Sequence, residues 1–202
     1  MVSLDVIVVD PPEGGQVFDP LKWFDSPGPF ELEIGSGKGG FLLSRARANP
    51  HIRLLGIEMR NKYFRYCAAR MVRWQLDNVR VMRIDARLLI MVHLPPACVS
   101  VLHLYHPDPW PKKRHHKRRL VQPDFVEAAI RTLAPGGRWL IQSDHAEYFQ
   151  QIERLLSVRE ELAPLDWEQA DAPPGPDWQG TNFEIKYARA GHSIYRAAYS
   201  RR

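Results

Sequence analysis

Residues 30–40 read FELEIGSGKGG, and this stretch decides the fold class. Its first five residues form a short apolar run that predicts a buried strand, and 35–40 predicts a tight turn. Residues 41–48 continue as a predicted helix that ends before Pro50. A glycine-rich turn between a strand and a helix lets the backbone approach a ligand closely, although such a turn can also be purely structural.

The same alternation of strands and helices continues along the chain. Further strands are predicted at 54–57, 79–84, 98–104, 138–142 and 193–199, and helices at 63–74, 86–92, 124–133 and 146–157. This order predicts right-handed crossovers and a mainly parallel α/β sheet with helices on both faces. We interpret 1–29 as an N-terminal arm, 30–202 as one domain and 164–180 as a loop within it.

The charge of the chain is unevenly distributed. The composition is that of a globular protein, with 45% hydrophobic and 25% charged residues and a net charge of +5. Six positive residues lie in KKRHHKRR at 112–119, so the remainder of the chain sums to about −1. A basic block on a near-neutral protein predicts local contact with a polyanion.

The N-terminal sequence lacks the features of a signal peptide, and no apolar run approaches the roughly 18 residues of a membrane span. Cys67 and Cys98 lie in apolar patterns without paired spacing, which is typical of reduced, buried thiols. We therefore expect a soluble, cytoplasmic protein without membrane contact.

Acidic residues stand at or just past the ends of five predicted strands. They are Glu33, Glu58, Asp85, Asp108 and Asp144. Ligands of parallel α/β sheets bind beyond the carboxyl ends of the strands. These five residues are therefore candidates for the functional site.

The glycine spacing fits two kinds of nucleoside cofactor. Gly35, Gly37 and Gly40 satisfy the GxGxxG pattern of dinucleotide-binding proteins. Gly35, Gly37 and Gly39 satisfy the GxGxG pattern that is common in methyltransferases. Glu58, 21 positions after Gly37, could accept both ribose hydroxyls of either NAD or S-adenosylmethionine.

Glu33 favours S-adenosylmethionine. A carboxylate next to the glycine turn would repel the diphosphate of NAD, whereas it would attract the ammonium and sulfonium groups of S-adenosylmethionine. Asp85 and Ala86 suit the adenine end, where Asp85 could accept from the N6 amino group. Asp85 could also cap the helix that follows, and the two roles can coexist.

Residues 105–122, YHPDPWPKKRHHKRRLVQ, carry the strongest functional signal. Three prolines stiffen the backbone around Asp108 and Trp110. A fixed acid and aromatic ring next to a strand end predict a site for a planar base, and the basic run predicts contact with phosphates. The alternatives are a solvated charge run and a Trp110 that only packs the loop. His115 and His116 have no further ligands at suitable spacing, so no metal is predicted.

The string PDPWPKKRHHKRRLVQP at 107–123 resembles the signature of the bacterial tRNA (guanine-N7-)-methyltransferases, the TrmB-like family. The resemblance covers nearly everything from about residue 30 to the end of the sequence. It extends through ELEIGSGKG at 31–39, GIE at 56–58, DA at 85–86, SD at 143–144, TNFE at 181–184 and GHSIY at 191–195.

This resemblance implies a Rossmann-like class I methyltransferase fold, with a mainly parallel seven-stranded sheet and an antiparallel last strand. It implies methyl transfer from S-adenosylmethionine to N7 of the variable-loop guanosine at position 46 of tRNA, by a monomer or homodimer. Asp108 corresponds to the catalytic position.

The resemblance also implies three sets of binding residues. The cofactor-binding set is Glu33, Gly35, Gly37, Gly39, Glu58, Asp85, Ala86 and Asp108. The substrate-binding set is Lys112, Asp144, Thr181, Asn182, Phe183 and Glu184. The RNA-binding set is Arg114, His115, His116, Lys117, Arg118 and Arg119.

Two features depart from the family pattern. His106 stands where the family usually has Phe, which makes the floor of the site more polar. The N-terminal arm is short and weakly basic, so it offers little for gripping tRNA. In addition, Thr181 and Glu184 have the spacing of a helix-capping box, which is a structural alternative to substrate binding.

Three other functions agree with parts of the sequence. A methyltransferase acting on a protein or small molecule would not need the basic run. An NAD-dependent oxidoreductase would need an acid–base group for hydride transfer, which 105–122 does not resemble. A non-catalytic RNA-binding protein would leave Glu33, Glu58 and Asp85 without a purpose.

Overall fold

The structure is a computed structural model that describes residues 1–168, 170 and 193–202. Its helices are α1 (Leu4–Ile7), α2 (Gly40–Ala48), α3 (Asn61–Arg73), α4 (Ala86–Leu88), α5 (Pro123–Thr132) and α6 (Ala146–Leu156). Its strands are β1 (Phe30–Ile34), β2 (Arg53–Ile57), β3 (Val79–Met82), β4 (Val99–Tyr105), β5 (Leu133–Ser143), β6 (Leu162–Leu165) and β7 (Tyr195–Arg201). Short 3-10 helices span Pro20–Trp23 and Lys113–Arg118, and a π turn, Leu89–His93, continues α4. No helix in these residues is long and apolar enough to cross a bilayer.

The seven strands of the described residues form one sheet in the order β3-β2-β1-β4-β5-β7-β6. β1 to β5 pair in parallel, whereas β7 runs antiparallel to both β5 and β6. The predicted α/β fold, with a mainly parallel seven-stranded sheet and an antiparallel last strand, is confirmed. The chain leaves β1 towards β2 and β3 and then returns to β4 on the other side of β1. This reversal opens a crevice beyond the carboxyl ends of β1 and β4.

Hydrophobic cores cover both faces of the sheet. Successive residues of a strand point to opposite faces. In β2, Leu55 and Ile57 belong to a core shared with α5 and α6, and Leu54 belongs to another core shared with α2 and α3. The helices therefore lie on both faces, as predicted.

Strand β5 begins earlier than the sequence predicts. Residues 135–137, Pro-Gly-Gly, indicate a turn that precedes the strand, but β5 already begins at Leu133. Its pairing with β4 shifts register between Val99 and Val101. A Cβ atom at Gly137 would lie 2.9 Å from the Val99 carbonyl oxygen. The glycine is therefore part of an irregularity within the strand rather than its boundary.

Edge strand β6 is a second difference, because its Pro164 falls within the predicted 164–180 loop. Proline has no N–H to donate, so it is tolerated mainly in strands at a sheet edge. β6 has this position in the described part of the chain, where it pairs with β7 alone. Residues 169 and 171–180 of the predicted loop lie outside the described residues.

Residues 1–29, the predicted arm, pack on the domain. Ile7 of α1 is fully buried in the core formed with α2 and α3. The Val9 N–H donates to the Val81 carbonyl at 3.1 Å, which attaches the chain to the edge of β3. Phe24 joins the core on the other face.

Candidate active site

A cavity of about 500 Å³ opens beyond the carboxyl ends of β1, β2 and β4. Its walls come from the glycine turn, the residues after β2 and β3, and the proline-rich segment after β4. The predicted cofactor-binding residues that line it are Glu33, Gly35, Gly37, Glu58, Asp85, Ala86 and Asp108. The parallel topology thus brings four separate parts of the sequence to one edge of the sheet.

The glycine turn exposes bare backbone to the cavity. Gly35 and Gly37 have φ angles of 77° and 54°, in the left-handed region that favours glycine. A Cβ atom on Gly35 would meet no atom within 4 Å, so the space next to it is open. The Gly37 N–H donates to Glu58 Oε2 at 3.0 Å and joins the turn to the end of β2.

Gly39 has a packing role, and it does not line the cavity. Its φ angle is 69°, and it is the capping residue that immediately precedes α2. A Cβ atom there would lie 2.5 Å from the sulfur of Cys67 in α3. Glycine is therefore required at this position for close packing of α2 against α3, and cofactor binding by Gly39 stays a prediction.

Glu58 is fixed by two backbone donors. Its Oε1 accepts from the Arg60 N–H at 2.7 Å, and its Oε2 accepts from the Gly37 N–H at 3.0 Å. The residue is buried yet lines the cavity. Each carboxylate oxygen can accept a further hydrogen bond. The pair of oxygens is suited to the two adjacent hydroxyls of a ribose.

Glu33 is a buried carboxyl group of the cavity whose ionisation is unfavourable. It is 4% exposed, and its Oε2 has no hydrogen-bond partner among the described residues. Burial raises the pKa of Glu33 to about 8; a hydrogen bond with Ser36 lowers it, and the Glu58 carboxylate raises it. A buried carboxylate oxygen without a partner is costly, and a bound cation would relieve that cost. The site therefore suits the ammonium group of S-adenosylmethionine, and Glu33 would repel a diphosphate whenever it is ionised.

Asp85 begins helix α4. Its Oδ1 accepts from the Arg87 N–H at 2.7 Å and from the Leu88 N–H at 3.4 Å, so the predicted capping role is confirmed. Asp85 and Ala86 also line the cavity. Contact with an adenine remains a prediction for both residues.

The proline-rich segment after β4 carries Asp108 and Trp110 along the cavity wall. His106 and Trp110 have φ angles of 51° and 41°, which are uncommon for residues other than glycine. The Asp108 side chain is 70% exposed and lies 3.9 Å from the guanidinium of Arg60. The sequence did not single out Arg60, which enters the site because it follows Glu58 by two positions.

Trp110 contacts two residues of the basic run. The guanidinium of Arg118 lies 5.0 Å from the ring centroid. The ring of His115 meets the indole edge-on, with centroids 5.8 Å apart. Trp110 therefore packs its loop against the 3-10 helix Lys113–Arg118 and also lines the cavity, so the packing role does not exclude contact with a base.

Arg119 is buried, which corrects the prediction that it contacts RNA. Its guanidinium donates to both carboxylate oxygens of Glu147, at 3.0 and 2.7 Å. Its Nε donates to the Pro109 carbonyl at 2.8 Å, and the ring of Tyr148 lies 4.8 Å from the guanidinium. The side chain is fully buried, and it anchors the proline-rich segment on α6.

The remaining residues of the basic run lie at the surface. Arg118 is exposed and lines the cavity, and His115 and His116 are half-buried. Lys112, Arg114 and Lys117 are exposed. Among the described residues, no group of three or more His, Cys, Asp or Glu side chains is arranged to hold a metal ion.

The predicted substrate-binding residues are only partly within the described chain. Asp144 follows β5, and its Oδ1 lies 3.4 Å from Nδ1 of His106, which lines the cavity. Residues 181–184 lie outside the described residues. The departure at position 106 thus places an imidazole, rather than a phenyl ring, against Asp144.

A buried hydrogen-bond chain next to the cavity was not predicted from the sequence. Glu31 accepts from Arg45 at 2.7 and 2.9 Å and lies 2.9 Å from Nε2 of His103, whose Nδ1 lies 2.9 Å from the Tyr105 hydroxyl. Burial opposes ionisation of Glu31, but hydrogen bonds with Arg45 and His103 outweigh it and hold its pKa at about 2. Tyr105 lines the cavity, so the chain fixes its ring. The sequence signal that could have revealed this chain is the presence of the polar residues Glu31 and His103 within two otherwise apolar strands.

The fold and the cavity define a class I S-adenosylmethionine-dependent methyltransferase. The family model described as "Putative methyltransferase" matches residues 27–197. An S-adenosylmethionine-dependent methyltransferase from Aquifex aeolicus has a similar fold, with a TM-score of 0.57 at 15% identity, over 92% of this chain and 91% of that chain. As a member of a methyltransferase family, the chain uses S-adenosylmethionine as its cofactor.

Sequence relatives define the family more narrowly. A protein of Halorhodospira halophila named tRNA (guanine-N(7)-)-methyltransferase is 36% identical over 191 residues, which cover 95% of this chain and 82% of the relative. A protein of the same name from Nocardia farcinica is 37% identical over 90% of this chain and 70% of the relative. The chain belongs to the tRNA (guanine-N7-)-methyltransferase family.

Proposed function

We propose that this protein transfers a methyl group from S-adenosylmethionine to N7 of the variable-loop guanosine, position 46, of tRNA. One observation carries the proposal: Asp108 and Trp110 line the cofactor cavity and adjoin the exposed basic 3-10 helix Lys113–Arg118. A site for the methyl donor, an acid and an aromatic ring for a base, and cations for phosphates therefore lie side by side.

Three acids would hold the cofactor, which supplies a sulfonium-bound methyl group open to displacement. Glu33 would pair with its ammonium group, since Oε2 of this buried side chain lacks a hydrogen-bond partner among the described residues. Glu58 would accept from the two ribose hydroxyls, and Asp85 from the adenine amino group. The bare backbone at Gly35 and Gly37 would leave room for the ligand between these acids.

Asp108 would act on the base by electrostatics rather than by proton abstraction. Guanine N7 has a lone pair in the ring plane and carries no proton, so no base is needed to expose it. The methylated guanine gains a positive charge, which a nearby carboxylate stabilises. The contact of Asp108 with Arg60 is long and exposed, and such pairs are weak. The carboxylate is therefore free to turn to the base.

Selection of guanine over adenine requires acceptors for the N1–H and the 2-amino group. Asp144, whose carboxylate lies near His106, is one proposed acceptor, and Glu184 is the other. Lys112 and residues 181–183 complete the proposed substrate contacts. A site that pairs with donors absent from adenine rejects adenine because its own polar groups would be left unpaired.

The surface residues of the basic run would bind the RNA backbone. The proposed contacts are Arg114, His115, His116, Lys117 and Arg118. Contacts with phosphates release counterions, so tRNA affinity should fall with rising salt. The protein would act as a monomer or a homodimer. With tRNA as its substrate, the enzyme would act in the cytoplasm.

The test of this function uses labelled S-adenosylmethionine and two unmodified tRNA transcripts that differ only at position 46, guanosine or adenosine. We expect label as 7-methylguanosine in the first transcript and none in the second. Label in both transcripts would overturn the assigned position. Label in neither, with cofactor bound, would overturn tRNA as the substrate.

A further inference from the structure

The exposed face of α3 is a second basic surface, separate from the basic run at 112–119. Every charged residue from Asn61 to Leu76 is Lys or Arg. Lys62, Arg65 and Arg73 are exposed, while Cys67, Ala68 and Met71 face the core. The near-neutral remainder of the chain therefore includes a positive face on this helix.

Helical geometry places these cations on one side. Lys62, Tyr66 and Arg73 are separated by four and seven positions, and Arg65 lies on the adjacent part of the surface. A helix rises about 1.5 Å per residue, so the face extends for roughly 20 Å. This length is enough to follow several phosphates of an RNA strand.

The cations of this face are not used within the described part of the protein. Among the described residues, Lys62, Arg65 and Arg73 have no acidic partner within salt-bridge distance. Arg119, by contrast, is engaged with Glu147 although its sequence context predicted an RNA contact. Charges that are exposed and not paired are available to an external polyanion.

Aromatic residues interleave with the cations. Tyr66 and Trp74 are 54% and 47% exposed. The guanidinium of Arg47, from α2, lies 4.5 Å from the Trp74 ring centroid. Exposed rings among cations are typical of surfaces that bind nucleic acids, because bases stack on the rings and phosphates pair with the cations.

This surface begins at the cofactor cavity. Met59 and Arg60, just before α3, and Tyr63, in its first turn, line the cavity. We propose that the α3 face, defined by Lys62, Arg65, Tyr66, Arg73 and Trp74, is a second binding surface for the tRNA substrate. It binds RNA backbone in addition to the part that the basic run at 112–119 would hold. This inference rests on the proposed function.

The test is a double variant, Arg65→Gln with Arg73→Gln, together with the single variant Arg65→Gln. The matched control for the single variant is Arg154→Gln on α6, an exposed arginine on the other face of the sheet that also removes one charge. We expect the double variant to raise the KM for tRNA at least several-fold at unchanged kcat. The slope of log affinity against log salt should lessen by roughly 0.7 to 0.9 for each phosphate that the variant no longer binds. Cofactor affinity and Tm should match the wild type.

The experiment distinguishes failure of this inference from failure of the proposed function. If the wild type methylates tRNA but the double variant keeps the wild-type KM and salt slope, the α3 face does not bind tRNA and the proposed function stands. If the wild type transfers no methyl group to tRNA, the proposed function itself fails. If Arg154→Gln weakened tRNA binding as much as Arg65→Gln does, the effect would come from net charge rather than from the α3 face, and the inference would be overturned.

Discussion

At the scale of single residues, Glu33 explains how the cavity selects a cationic ligand. The carboxyl group is buried, and its pKa of about 8 keeps it mostly protonated at neutral pH. A cation bound next to it would lower that pKa and draw off the proton. The residue thus opposes anionic ligands when ionised and favours a ligand that carries an ammonium group.

Replacement of Glu33 by Gln should change how the stability of the cofactor-free protein depends on pH. The folded-state pKa, about 8, lies above the ordinary value of 4.5, so the unfolded chain loses this proton first as pH rises. The free energy of unfolding of the wild type should therefore fall between about pH 4.5 and pH 8 through this group, and Glu33→Gln should lack that fall. Melting curves from pH 5 to pH 9 measure it. Glu127→Gln, at an exposed position of α5, is the control. Parallel curves for Glu33→Gln and wild type would contradict the account.

Asp108 should be required for catalysis and not for the fold. Its side chain is largely exposed, so Asp108→Asn should leave Tm unchanged. Loss of one electrostatic group aimed at developing charge typically costs about 100-fold or more in rate. We expect that loss in kcat, with cofactor still bound through Glu33 and Glu58. Single-turnover transfer with tRNA measures it, and Glu127→Gln serves again as the control. Wild-type transfer by Asp108→Asn would remove its assigned role.

At the scale of elements, the proline-rich segment and the 3-10 helix after it are held by α6. Arg119 reaches across to Glu147 and also binds the Pro109 carbonyl within its own segment. The hydrogen bonds of Arg119 hold the pKa of Glu147 at about 2. Arg119 therefore anchors the loop that carries Asp108 to α6. The exposed cations of the 3-10 helix are not needed for this anchoring.

Arg119→Gln should destabilise the protein without changing how tRNA binding depends on salt. The substitution removes a buried guanidinium together with its hydrogen bonds to Glu147 and to the Pro109 carbonyl, so the free energy of unfolding should fall. Chemical denaturation measures the loss, and Glu147→Gln should produce a loss through the same pair. The double variant should lose less than the sum of the two. If Arg119→Gln lowered the slope of log tRNA affinity against log salt as much as Arg118→Gln does, Arg119 would have to contact RNA, and this interpretation would be wrong.

The sequence predicts the central part of this fold well and its edges less well. The acids after β1, β2 and β3 meet at one cavity because parallel strands end at one edge, a rule that needs no coordinates. Pro164 and the glycine at 137 look locally like strand breakers, but pairing with neighbouring strands decides their structure. Arg119 looks like any other residue of the basic run, because its partner lies 28 positions away on another helix.

At the scale of the whole molecule, positive charge flanks the cavity on two sides. The 3-10 helix Lys113–Arg118 adjoins the wall formed by Trp110, and the α3 face leads away from the wall formed by Tyr63. An RNA that spans both would be drawn across the cavity mouth, where its guanosine can reach Asp108.

The central claim, methyl transfer to one ring nitrogen of a tRNA guanosine, is tested most directly by changing that atom alone. The measurement is transfer of label from S-adenosylmethionine to two tRNAs, one with guanosine and one with 7-deazaguanosine at position 46. The account predicts stoichiometric labelling of the first and none of the second, although both bind with equal affinity. Equal labelling of both tRNAs would contradict it, because the methyl group would then be carried by another atom.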